Sequence, residues 1–222
     1  HLLATLSYDP IKDFTPVGQT SRSSLVMAIN PNIPAKSLAE LVKLAKEKPG
    51  DVLYATAGIG TATHLAAELF NFAAGTKMMP VHYKGGGETI KDILSGQVKV
   101  MFSTIPPVLG HVREGRLRGL ATTGLSPDKV LPELKTISGS GLANYEVILW
   151  AGLSVAKGTP RPIVDRLAAA AQKALDDPDA QKTLAAQVYT LKFSGPEDFG
   201  KFYQNEVTKW SKVAEAIGPI GN

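Results

Sequence analysis

Short apolar runs alternate along this chain with stretches in which apolar residues recur every three or four positions. The first pattern predicts strands and the second helices. Residues 14–17 and 25–29 read as strands, joined by a polar link over 19–24. Ser37-Leu-Ala-Glu40 is a capping box, and Leu38, Leu41, Val42 and Ala45 form a helix face that stops at Pro49-Gly50. A strand over 53–56 then meets a Gly-x-Gly turn and a helix carrying Leu65, Leu69 and Phe72. The order repeats with a strand over 78–83, the turn Lys84-Gly85-Gly86-Gly87, and a helix from Glu88 through Ile90, Ile93 and Leu94 to Gly96. Strand 98–103, helix 106–114 and strand 117–122 follow. Strands alternating with helices imply an α/β fold with a mostly parallel sheet.

The pattern changes after Thr123. Residues 124–144 are rich in Gly, Ser and Pro and read as a connecting loop, and 147–156 is one apolar run, read as a strand crossing between two lobes. Thr159-Pro160 opens a helix with Ile163, Leu167, Ala171 and Leu175 on one face. A short helix over 179–187 and a strand over 189–193 come next. Ser194-Gly-Pro-Glu197 reads as a second capping box. After it, Phe199, Phe202, Tyr203, Val207, Trp210, Val213 and Ile217 stripe a long helix as core packing. These helical faces need more sheet than the strands at 14–17 and 189–193 offer, so part of a lobe is expected upstream of His1. Residues 1–7 read as neither a signal peptide nor a regular element, and no Met initiates them.

The richest local chemistry lies in Tyr54-Ala-Thr-Ala-Gly-Ile-Gly-Thr61. Gly58 and Gly60 can take positive φ, and Thr61 is a good N-cap. Backbone N–H groups at such a helix start face an anion with the positive dipole end behind them. The same residues also fit a capped turn with no ligand. A dinucleotide reading fails, because Gly58-Ile-Gly60-Thr-Ala-Thr63 lacks a third Gly. Tyr83, Lys84 and Gly85 end another strand before a helix and could hold a carboxylate through a hydroxyl, a charge and backbone amides. A solvated connection is the alternative there. Ser103 and Thr104 end a third strand, and the three ends should converge, since strand carboxyl ends line the crevice of open α/β sheets.

Composition narrows the classes. The 222 residues carry a net charge of +4 and a pI near 9.2, with no run of five or six Lys and Arg, so attraction for small anions is expected and a nucleic-acid stripe is not. No apolar run reaches the roughly 18 residues that span a bilayer. The absence of Cys excludes disulfides, thiol catalysis and Cys-ligated metals. His64 reads as an orienting or core histidine, because one carboxylate at Glu68 makes a thin metal site, and His82 and His111 show no ligand-like spacing with it. No Gly-x-Ser-x-Gly elbow, paired-His motif or supported carboxylate pair invites a catalytic reading. The expectation is a binding protein with no cofactor and no metal.

An ordered series of motifs resembles a known family. It runs Tyr8-Asp-Pro-Ile-Lys-Asp-Phe14, Pro34-Ala-Lys-Ser-Leu-Ala-Glu-Leu41, Tyr54-Ala-Thr-Ala-Gly-Ile-Gly-Thr61 with His64-Leu65, Tyr83-Lys-Gly85, and Gly96-Gln-Val98 with Met101-Phe102. Ala156-x-Gly158-Thr-Pro160 and Pro162-Ile-Val-Asp-Arg-Leu167 continue it. Together they resemble the tripartite tricarboxylate transporter substrate-binding proteins, also called the Bug family of extracytoplasmic solute receptors. The resemblance covers essentially the whole chain.

It implies a two-lobed fold of the type II periplasmic-binding-protein class, with the ligand in the cleft. The first lobe, from residues 1–24 and 149–222, is expected to be incomplete, and residues 25–148 to form the second lobe. Members carry more sequence before the first motif, so the chain reads as truncated. The resemblance further implies a periplasmic receptor that captures a small carboxylate for the membrane permease subunits of the transporter. The expected ligand-binding set is Ala57, Gly58, Gly60, Thr61, His64, Tyr83, Lys84, Gly85, Ser103 and Thr104. Members often have Asp where Ser103 stands, and a Pro-Thr-x-x-Glu segment where this chain has Lys135-Thr-Ile-Ser-Gly139. The first difference removes a negative charge near the expected pocket. A competing class is the effector-binding domain of a transcription regulator, which uses a related two-lobed fold.

Overall fold

The structure, a computed structural model, describes residues 7–185 and 190–217. They fall into two compact units. One is built from the chain up to Ser23 and from Trp150 onward, the other from Ser24 to Leu149. The first strand, β1 (Phe14–Ile29), is 16 residues long and contributes to both. The polar link expected at 19–24 is therefore strand. Its ladder partner lies far along the chain in β7 (Thr190–Ser194), with Gln19 opposite Ser194 and Arg22 opposite Thr190. A ladder satisfies backbone groups whatever the side-chain polarity, so Thr20 and Ser21 do not break the strand.

The unit from Ser24 to Leu149 holds an open sheet with α-helices between its strands. Along the chain come α1 (Leu38–Glu47), β2 (Leu53–Thr56), α2 (Ala62–Ala74), β3 (Met79–His82), α3 (Gly86–Ser95), β4 (Val100–Thr104), α4 (Ile105–Arg113) and β5 (Arg118–Thr122). The strand order is β3-β2-β4-β1-β5. β2 pairs parallel with β3 and β4, and β1 pairs antiparallel with β4 and β5. The parallel reading thus holds for four strands and fails for β1, which enters from the other unit instead of returning from a helix. Leu25, Val26, Met27, Ala28 and Ile29 are all fully buried, as a central strand covered on both faces requires. Phe70, Phe102 and Tyr145 pack ring to ring beside it, and the Tyr145 hydroxyl donates to the Ala66 carbonyl at 2.8 Å. Burying each such side chain contributes roughly 1.5–3 kcal/mol.

Helix α1 starts as its sequence dictates: Ser37 Oγ accepts from the Glu40 N–H at 3.2 Å. The return bond of the box reaches one residue further back, from the Lys36 N–H to Glu40 Oε2 at 2.7 Å. The segment after β5 makes a single turn of 3-10 helix at Ser138–Ser140 and bridges Thr122 to Thr136.

In the other unit, β6 (Ile148–Ala156) and β7 both pair with β1. Helices α5 (Arg161–Leu175), α6 (Pro178–Ala185) and α7 (Pro196–Ile217) complete it. Val17, Val164 and Ala168 form a small core with Val155 and Phe193 packed against it. The α5 face differs from the one expected. Val164 and Ala168 are buried, whereas Ile163 and Leu167 are 50% and 41% exposed, because the small i, i+4 pair is what fits against Val17. Ser194 is the last residue of β7, so it does not cap α7; the Phe199 N–H bonds to the Gly195 carbonyl instead. Trp150 makes edge contacts with Phe199, Phe202 and Tyr203. Gly152 admits the Phe199 ring across β6, since a Cβ there would lie 2.3 Å from Phe199 Cζ. The expected features at 1–6, 186, 187 and 189 lie outside the described residues.

Candidate functional site

Because β2, β3 and β4 run parallel, their carboxyl ends share one edge of the sheet, and α2, α3 and α4 begin just beyond them. Three helix starts therefore gather at one end of one unit, each with the positive end of its dipole facing outward. The residues expected to bind ligand all lie there, but the three ends differ in what they offer.

At the end of β2, Gly58 and Gly60 have φ of +132° and +74°, so the turn uses the freedom that only glycine has. Thr61 caps α2, with its Oγ1 accepting from the His64 N–H at 3.4 Å and donating to the Gly58 carbonyl at 2.7 Å. The turn's amides are largely spoken for. Ala57 N–H donates to Thr63 Oγ1 (3.1 Å), Gly58 N–H to Thr56 Oγ1 (3.2 Å), Gly60 N–H to His64 Nδ1 (3.1 Å) and Thr61 N–H to the Gly58 carbonyl (3.4 Å). Within residues 57–61, only the Ile59 N–H has no partner among the described residues. Sequence reasoning treated these amides as open donors; most of them instead hold the turn together.

His64 is 3% exposed. Its ring meets His82 edge to face, with centroids 4.7 Å apart, and His82 Nδ1 lies 2.8 Å from Thr56 Oγ1. Thr56 and His82 are cross-strand partners in the β2–β3 ladder. Because Gly60 donates to Nδ1, the His64 proton sits on Nε2, which faces Glu68 Oε1 at 4.0 Å. Glu68 in turn accepts from the buried Tyr54 hydroxyl. Burial, and then the neighbouring His82, pull the His64 pKa down to about 4, so it is neutral at physiological pH.

The end of β3 is different. Gly85 precedes α3 without a side-chain cap, so the first amides of that helix, at Gly86 and Gly87, lack an intrahelical acceptor. Exposed Lys84 stands beside them and makes no ion pair with the described residues. The Tyr83 hydroxyl is turned to Asp92 Oδ2 at 2.7 Å; burial and that bond push its pKa up to about 12. Tyr83 thus serves α3 in this structure. At the end of β4, the hydroxyls of Ser103 and Thr104 have no hydrogen-bond partner among the described residues. Thr104 precedes α4 without capping it, and Pro106 and Pro107 take two amides out of that helix start.

Sequence reasoning missed Ile59 as a donor and weighed His82 only as a metal ligand. The signal for His82 was its match with Thr56, one at the end of each parallel strand. Thr122, at the end of β5, is fully buried with its hydroxyl unpaired among the described residues. No group of three His, Asp or Glu that could hold a metal occurs among the described residues.

An α/β unit with helix starts gathered at the carboxyl ends of a parallel sheet is the architecture of a ligand-binding half-site. The chain belongs to the family described as tripartite tricarboxylate transporter family receptor, whose model matches residues 1–219. A Pseudomonas sp. protein named for the tcbD–tcbE intergenic region is 31% identical over 93% of this chain, and the chain spans 62% of that curated relative's length. Among solved structures, an R. palustris protein with adipate superposes with a TM-score of 0.83 at 28% identity, over 99% of this chain and 73% of that one. MatC from Rhodopseudomonas palustris with bound malate gives 0.80 at 28%, over 96% and 73%. The fold is that of the periplasmic solute-binding proteins of this receptor family.

Proposed function

We propose that this protein is a periplasmic receptor that captures a small aliphatic carboxylate and presents it to the permease subunits of a tripartite tricarboxylate transporter. The observation that carries the reading is the uncapped start of α3 beside Lys84, on a sheet edge shared with the unpaired hydroxyls of Ser103 and Thr104. Backbone amides and a cation suit a carboxylate, and amides fixed in a helix start lose little entropy on binding. Adipate and malate in the two related structures are both dicarboxylates, which supports the class. β3 and β4 flank β2, so their ends lie about 10 Å apart, two strand spacings. That span fits an acid with a second polar end.

In this reading the predicted set divides by role. Lys84, Gly85 and the amides that follow hold one carboxylate, Ser103 and Thr104 meet the far end, and Ala57, Gly58, Gly60, Thr61 and His64 shape the turn between them. No chemical step is assigned; the task is capture and release.

Calorimetric titration of the chain, and of the complete gene product, with malate, succinate and adipate tests it. Binding of at least one of these acids, lost in the corresponding diamide, is expected. Heat from none of them in the complete product would sink the carboxylate reading.

A further inference from the structure

We propose that His64 is a positioning residue: its bare Nδ1 pins the Gly60 N–H and so holds the turn after β2 in the form that leaves the Ile59 N–H to a bound carboxylate. The proposal rests on the carboxylate reading above for its consequence, but on geometry for its core. Gly60 is exposed, so water could serve its amide; a ring only 3% exposed serves it instead, at 3.1 Å. A neighbouring device holds Gly58. Its N–H donates to Thr56 Oγ1, so the single hydroxyl hydrogen of Thr56 is left for His82 Nδ1 at 2.8 Å, and that nitrogen is bare as well. The two glycines on either side of Ile59 are thus held by His64 directly and by Thr56, the neighbour of His82, whose ring meets His64 edge to face.

The ring is itself braced. Its backbone N–H is bound by the Thr61 cap, its Nε2 faces Glu68 from the same helix, and Tyr54 from β2 fixes Glu68 from behind. His82 faces it from β3. A proton on Nδ1 would set two donors against each other and require the Gly60 peptide to turn over. Ile59, 52% exposed, would move with it.

Asparagine offers a sharp substitute. Its Oδ1 stands the same number of bonds from Cα as the histidine Nδ1, whereas glutamine places its acceptor one bond further out. In the 15N-labelled chain at neutral pH, nitrogen correlation spectra should show His64 with Nδ1 bare and Nε2 protonated. His64→Leu should speed exchange of the Gly60 amide by about tenfold or more, the effect of removing one buried acceptor. His64→Asn should restore it to within about twofold of the parent, and His64→Gln should not. Affinity of the complete gene product for malate or adipate should follow the same order.

A protonated Nδ1, or unchanged Gly60 exchange in a folded His64→Leu, overturns the proposal. Should His64→Leu fail to fold, the pair His64→Asn and His64→Gln decides, and equal behaviour overturns it. If Gly60 responds as stated while neither acid binds the parent, His64 keeps its role in the turn and the carboxylate reading falls.

Discussion

The turns after β2 and β3 occupy equivalent places, each joining a parallel strand to a helix at the same sheet edge, yet they are built on opposite plans. The first closes on itself: threonine hydroxyls and the His64 imidazole take up its amides, and both of its glycines sit at positive φ. The second is bare. Gly85 is extended at φ 174°, caps nothing with a side chain, and precedes two more glycines at which an added Cβ would meet nothing within 4 Å. A glycine in the first turn answers a conformational need. One in the second keeps the backbone uncovered. The lesson is that Gly-rich strand-to-helix turns that look alike in sequence can be a frame in one case and an open donor set in the other.

The largest expected effect probes the frame through pH. The His64 pKa is lowered to about 4 in the folded chain by burial and His82, against about 6.5 when unfolded. Between those values the unfolded chain binds a proton that the folded chain refuses. Stability is therefore full above pH 6.5, falls as pH drops, and levels off below about 4, a loss of roughly 3 kcal/mol. His64→Asn should flatten that part of the profile. Far-UV circular dichroism during urea unfolding is the suitable readout, since Trp150 and Trp210 both belong to the other unit. An unchanged slope in His64→Asn would detach the acid sensitivity from this ring.

Gly58→Ala comes next. Its Cβ would find ordinary contacts, 3.6 Å from the Tyr83 carbonyl oxygen and 3.7 Å from Thr61 Cγ2, so space is not the obstacle. The cost comes from holding a side chain at φ +132°, on the order of 2 kcal/mol. Thr61→Ala should cost about 1 kcal/mol through the lost cap, with Thr61→Ser retaining most of it. Urea midpoints order the two, and a smaller loss for Gly58→Ala than for Thr61→Ala would mean the turn relaxes more readily than its hydrogen bonds imply.

Much of this was readable because it is local. The Thr61 cap follows from a threonine before an apolar-periodic helix, and the turn glycines from their place after a strand. What escaped the sequence depends on partners far along it. The continuity of β1 through Gln19–Arg22 needs β7, which joins the ladder from more than a hundred residues away. The α5 face turned out differently because Val17, remote in sequence, selects the small pair Val164 and Ala168 over the larger Ile163 and Leu167. At the site, strand ends and helix starts were legible, but not which amides were already committed. That depends on the direction of a hydroxyl or ring lone pair, and residue type alone does not encode it.

Gly86→Ala has the smallest expected effect and the opposite sign. Gly86 opens α3 with a φ outside the positive region, and the space beside it is empty, so alanine fits without strain. Replacing glycine there removes unfolded-chain freedom and should stabilise the unit by about 0.5 kcal/mol. Its amide stays in place, so binding of a carboxylate should change little unless the new methyl group touches the ligand. A stabilised variant with unaltered affinity would mean that α3 offers backbone alone. A stabilised variant that no longer binds would mean that the bare surface of the second turn, more than its amides, is what the ligand needs.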